Sequence, residues 1–177
     1  MKNESISVTF AGNPNVGKST LFNAVTGLNQ HTGNWPGKTV ASAEGLCRHG
    51  GKAYRLVDLP GTYSLLAHSA EEEVARNFLC FSRPEAVCIV CDATCLERNL
   101  HLLLQVLEIT PRVVLCLNLM DEALKKGIRI DTNLLSQKLG IPVVRTSART
   151  QMGLTELTEA VQAVSRSSSK KVLLPPV

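Results

Sequence analysis

With 44% hydrophobic and 19% charged residues over 177 positions, the chain has enough apolar surface to offset chain entropy, which excludes a disordered segment, and its length suits one α/β domain. A net charge of +4, no block of five like charges and only 4% aromatics leave no footprint for nucleic acid. No apolar run approaches the roughly 18 to 20 residues that span a bilayer, and Met1-Lys2-Asn3-Glu4 is too polar for a signal peptide, so a soluble, cytoplasmic segment is expected.

In chain order, an apolar run over 6–11 predicts a first strand and the stretch 21–25 the helix behind it. Residues 29–38 hold Gly33, Pro36 and Gly37 around the only tryptophan, Trp35, without periodicity, and predict a long loop. Between 40 and 58 two strand-like runs meet at Gly50-Gly51, a hairpin that sets one antiparallel strand at the sheet edge. Ser69-x-x-Glu72 and Thr94-x-x-Glu97 read as capping boxes that open two helices. Runs over 86–91, 113–117 and 141–144 predict further strands. Leu96, Leu100, Leu103, Leu104 and Leu107, then Leu154, Leu157, Val161 and Val164, fall at helical spacing. The alternation predicts a six-stranded, mostly parallel sheet with one antiparallel edge strand and helices on both faces. The domain is expected over 1–166, and the serine, lysine and proline content of 167–177 reads as a linker. Six cysteines include Cys88-Ile89-Val90-Cys91, but positions i and i+3 of a strand face opposite ways, so buried reduced thiols are expected.

The chemistry begins after the first strand. Gly12-Asn13-Pro14-Asn15-Val16-Gly17-Lys18-Ser19, followed by Thr20, matches the P-loop pattern in its required strand-then-helix setting. Its backbone N–H groups and the helix N-terminus suit phosphate oxygens, Lys18 suits the β and γ phosphates, and the Ser19 hydroxyl suits Mg²⁺. Asp58-Leu59-Pro60-Gly61 adds a carboxylate for the same metal and, at Gly61, an N–H for a γ-phosphate. Thr39 is expected to supply a second hydroxyl to Mg²⁺ when the γ-phosphate orders its loop. Choosing guanine requires an acceptor for the ring N1–H and exocyclic amine. Asp121, in Asn118-Leu119-Met120-Asp121, is placed to be that acceptor, with Asn118 tying loops together and touching the base. Ser147-Ala148 would offer a backbone N–H to guanine O6.

Taken together, these motifs resemble a small G protein of the P-loop class, and more narrowly the N-terminal G domain of the ferrous iron transport protein B family. The narrowing residues are Gly12-Asn13-Pro14-Asn15, the run from Thr32-Gly33-Asn34-Trp35 through Pro36-Gly37-Lys38-Thr39, Asp58-Leu59-Pro60-Gly61-Thr62-Tyr63, and Asp92-Ala93-Thr94. The resemblance implies the P-loop GTPase fold, GTP and GDP as ligands, and a place at the cytoplasmic face of the bacterial cell membrane. It also implies a helical spacer and membrane region of the same full-length protein as partners. Nucleic acid is not expected, and homo-oligomers are compatible with it. Departures are Leu119, where the guanine motif usually has lysine, and Lys38 before Thr39. No glutamine follows Gly61, so slow hydrolysis is expected, with backbone groups of residues 33–38, including Gly33, Trp35 and Gly37, orienting the water. The resemblance further implies that Asn15 helps hold K⁺ beside the phosphates, making Asn15, Lys18, Thr39 and Gly61 the catalytic set and Val16 and Gly17 part of the cradle. The alternative is a regulatory GTPase that assembles on RNA or ribosomes.

Overall fold

The structure, a computed structural model, describes residues 5–27 and 30–167. Seven strands, β1 (Ile6–Gly12), β2 (Gln30–Asn34), β3 (Ala41–His49), β4 (Lys52–Asp58), β5 (Ala86–Asp92), β6 (Val113–Asn118) and β7 (Val143–Arg145), form one sheet in the order β2-β3-β4-β1-β5-β6-β7. Pairing is parallel from β4 through β1, β5 and β6 to β7, and antiparallel on both sides of β3. Strands β5 and β6 are buried on both faces, which is why they read as unbroken apolar runs rather than alternating ones.

Helices α1 (Lys18–Thr26) and α6 (Leu154–Arg166) cover one face, where Phe10, Leu56, Cys88, Val90, Cys116, Leu157 and Val161 share a core layer. On the other face, α2 (Ala70–Asn77) continues into a π-helical turn, Phe78–Ser82, and is joined by α3 (Leu96–Ile109), α4 (Met120–Lys125) and α5 (Thr132–Leu139) over Val57, Ile89, Cys91, Leu103 and Leu115. Cys88 and Cys91 therefore lie in different layers, each fully buried, as the strand period requires. Among the described residues no helix is long and apolar enough to cross a membrane.

Two expectations need correction. The sheet has seven strands rather than six, because Gln30–Asn34, expected as loop, pairs with β3 over five residue pairs, so the antiparallel strand lies one position in from the edge. Its sequence, Gln-His-Thr-Gly-Asn, buries no apolar face, and its backbone ladder joins it to β3. The capping box at Thr94 does not form. Thr94 donates its N–H and hydroxyl to Asp92 Oδ1, at 2.8 and 2.7 Å, and α3 starts a residue later behind Cys95. Helices α4 and α5 had no predicted counterpart, being too short to show a helical period. By contrast, Ser69 does cap α2, accepting the Glu72 N–H at 3.1 Å, and Gly50 and Gly51, both at positive φ, close the β3–β4 hairpin. Helix α6 ends at Arg166, and the linker expected beyond it lies outside the described residues apart from Ser167.

Candidate functional site

The strand order reverses at β1: its neighbours β4 and β5 lead to opposite edges of the sheet. In such sheets the crevice outside the carboxyl ends of the strands is the place for a ligand. Gly12, Asp58, Asp92 and Asn118 all end strands there.

Residues 13–17 carry the chain from β1 onto the start of α1, with φ of +62° at Asn15 and +78° at Gly17. Gly17 must be glycine for a second reason, since a Cβ there would stand 2.5 Å from the Asn118 carboxamide nitrogen. The Asp58-to-Gly61 segment closes against this loop: the Thr62 N–H donates to Gly12 O at 3.0 Å, and a Cβ on Gly61 would come within 3.1 Å of Pro14 Cα. Between them lies a cavity of about 340 Å³ lined by Asn13, Pro14, Asn15, Gly17, Lys18, Ser19, Thr20 and Gly61. Both polar atoms of the buried Asn13 carboxamide are without a partner.

Lys18 is nearly buried, with its Nζ on the Asp58 carboxylate and on Leu59 O at 2.6 Å. The Ser19 hydroxyl donates to the other Asp58 oxygen at 3.2 Å. A hydroxyl and a carboxylate this close form a pair of hard oxygen donors that fits Mg²⁺.

The loop expected to close on the phosphates lies elsewhere. Gly33, Trp35, Gly37 and Thr39 do not line the cavity, and Thr39 is exposed. The Trp35 N–H donates to Val40 O at 2.9 Å and the Lys38 N–H to Trp35 O at 3.0 Å, which folds residues 35–40 into a compact turn. The Trp35 ring packs edge-on against Phe78, centroids 5.5 Å apart, and Lys38 pairs with Glu73 at 2.8 Å. The loop is thus docked on α2 and the π-helical turn. Lys38, as hydrogen-bond donor and neighbouring charge, holds the Glu73 carboxyl below its usual range.

At the far end, Asn118 is fully buried and joins three segments. Its Nδ2 donates to Val16 O at 3.0 Å, while Oδ1 accepts from Thr146 Oγ1 at 3.1 Å and from the Ala148 N–H at 3.2 Å. The Ala148 N–H expected to meet guanine O6 is therefore engaged inside the protein, and the Ser147 N–H likewise donates to Met152 O at 3.1 Å. Leu119, at φ +61°, turns the chain from β6 into α4 and places Asp121 beside Ser147, whose hydroxyl donates to Oδ1 at 2.9 Å. The second carboxylate oxygen accepts from Arg149 at 2.6 Å. Arg149 first, then Ser147, holds the Asp121 carboxyl below its usual range. The sequence reading missed Arg149 and Thr146; no spacing rule marks them, because each acts through a partner some 28 residues earlier.

Residues 6–161 match the family model described as ferrous iron transport protein B. The chain belongs to this family. The Fe(2+) transport protein A/Fe(2+) transporter FeoB fusion protein of Porphyromonas gingivalis is 45% identical over 166 residues, covering 93% of this chain and 20% of the relative. The Fe(2+) transporter FeoB of Campylobacter jejuni is 40% identical over 158 residues, 89% of this chain and 26% of its own. The chain thus spans about a fifth to a quarter of the length of these FeoB relatives. Among solved structures, the G domain of the T. maritima FeoB iron transporter is similar at a TM-score of 0.87 and 44% identity, covering 92% of this chain and 100% of that one. The cytosolic domain of the same transporter in its GMPPNP form gives 0.90 and 44%, covering 93% and 65%. The fold is that of a P-loop GTPase G domain.

Proposed function

We propose that the chain is the G domain, residues 1–166, of a larger ferrous iron transporter, that it binds GTP and GDP with Mg²⁺, and that it hydrolyses GTP slowly. The observation that carries this reading is Asn118. One buried carboxamide bridges the phosphate loop at Val16 to the Thr146–Ala148 segment beside Asp121, so a phosphate cradle and a base-reading carboxylate are held at a fixed separation. A supporting finding is that the T. maritima FeoB cytosolic domain, 43 to 44% identical, has been solved in GDP and GMPPNP forms.

Nucleotide binding exchanges the Lys18–Asp58 pair for two others. Lys18, now on Asp58, would turn to the β and γ phosphates, and Asp58 and Ser19 would hold the metal. When bound, Mg²⁺ supplies charge neutralisation at the phosphate oxygens. The Gly61 N–H serves the γ-phosphate. Beyond it, Thr62 is buried and Tyr63 is half exposed to solvent, so neither of these side chains stands ready to orient water, which supports a slow intrinsic rate. Undocking of residues 35–39 from Phe78 and Glu73, with release of Gly33 from its pairing with β3, would bring Thr39 to the metal and backbone groups of Gly33, Trp35 and Gly37 to the water. Asn15, exposed on the cavity wall, is the oxygen donor proposed for K⁺. The loop change then passes to the helical spacer and membrane region at the cytoplasmic face and gates or energises Fe(II) uptake.

The test is phosphate release from GTP with Mg²⁺ in matched KCl and NaCl, with ATP as competitor. Slow turnover, faster in KCl and insensitive to ATP, is expected. Inhibition by ATP would overturn the guanine assignment, and equal rates in both salts would remove Asn15 as a K⁺ ligand.

A further inference from the structure

One contact at the base end serves no need of base recognition. Arg149 donates from Nη2 to Asp121 Oδ2 at 2.6 Å, and Glu122 Oε1 lies 3.8 Å from the same nitrogen. The Asp121 side chain is 18% exposed and that of Arg149 67%, so the guanidinium comes onto the carboxylate from the solvent side. A guanidinium carries an N–C–N fragment of N–H donors, and here its Nη2 bonds Oδ2 while Ser147 holds Oδ1. The N1–H and exocyclic amine of guanine are the same fragment.

We propose that Arg149 is an intramolecular competitor of the base: its guanidinium occupies the Asp121 carboxylate that guanine must take, so the nucleotide displaces it on binding and it re-engages on release. The inference rests on Asp121 reading the base. Ser147 stays on Oδ1 at 2.9 Å, so the carboxylate keeps its orientation when Arg149 leaves. Arg149 also favours the ionised carboxyl, as an arginine on a carboxylate does. Because the arginine is exposed, the pair is weak and screened by salt; it tunes occupancy and does not block the site.

The test compares the parent chain with Arg149→Ala in equilibrium titration and chase of a fluorescent GDP. Arg149→Ala is expected to bind GDP about two- to five-fold more tightly, in line with an exposed pair, and the difference should shrink at high salt. Inosine diphosphate lacks the exocyclic amine and needs one acceptor fewer, so the gain should be smaller for it. Equal or weaker GDP binding by Arg149→Ala overturns the proposal. Asp121→Asn separates the two readings. If it weakens GDP binding while Arg149→Ala brings no gain, only the competitor falls; if it leaves GDP binding intact, the base reading and the competitor fall together.

Discussion

Replacing Asn118 with alanine tests whether one carboxamide holds the two halves of the site together. The substitution removes three hydrogen bonds of a fully buried side chain, to Val16 O at 3.0 Å, from Thr146 Oγ1 at 3.1 Å and from the Ala148 N–H at 3.2 Å. At about 1 kcal/mol net for each bond, the loss is about 3 kcal/mol. Thr146 is not stranded, because its hydroxyl keeps Cys116 Sγ at 3.0 Å and Leu117 O at 3.4 Å. The Val16 carbonyl and Ala148 N–H do lose a partner, which raises the figure, while water entering from the neighbouring cavity lowers it. Urea unfolding of the nucleotide-free chain, followed by circular dichroism, measures the result. With a slope of about 2 kcal/mol per molar, the midpoint should fall by about 1.5 M. A loss below about 1 kcal/mol would refute the bridging role. Asp121→Ala is the control: it removes a partly exposed acceptor and should weaken guanine nucleotide binding while leaving the midpoint nearly unchanged.

Gly17→Ala forces an alanine to φ +78° and sets its Cβ 2.5 Å from Asn118 Nδ2. A thermal melt should show at least about 1 to 2 kcal/mol of destabilisation from the backbone alone, and GDP binding should weaken with it. Cys88, Cys91 and Cys116 are fully buried, and desolvation raises the Cys91 thiol far above its ordinary range, so a thiol reagent should label exposed Cys80 in the native chain and these three only on unfolding. Rapid native labelling of all three would contradict the packing. Lys38 lowers the Glu73 carboxyl below its ordinary value of 4.5, so the pair contributes stability above that pH, and the contribution disappears as pH falls through the depressed value. Lys38→Ala should therefore be less stable than the parent at pH 7, with the difference vanishing as pH falls through the depressed value; a difference independent of pH would show that the contact is not electrostatic.

The readable parts of the sequence were those whose cause is local. Glycine at the left-handed positions of the phosphate loop and hairpin, the buried apolar runs of β5 and β6, and the leucine spacing of α3 each fix a conformation within a few residues. Thr94 and Ser69 carry the same capping pattern, yet only Ser69 caps a helix. The difference is Asp92, two residues before Thr94, which captures both the N–H and the hydroxyl and offers the backbone a competing turn. Strand β2 was unreadable for another reason: its side chains are polar and exposed, and its pairing depends on where β3 lies.

The site divides in the same way. The sequence by itself determined the P-loop, the Ser19 and Asp58 oxygens beside it, the place of Asp121 after a strand end and the family, because each is a residue type at a fixed spacing near a strand end. Asn118 was expected to tie loops together; tertiary structure alone decided that its partner is Val16, 102 residues earlier, that Trp35 docks its loop on Phe78, and that Arg149 covers Asp121. Such contacts join segments brought together by the sheet order, and a one-dimensional pattern carries no record of which side chains the parallel crossovers make neighbours.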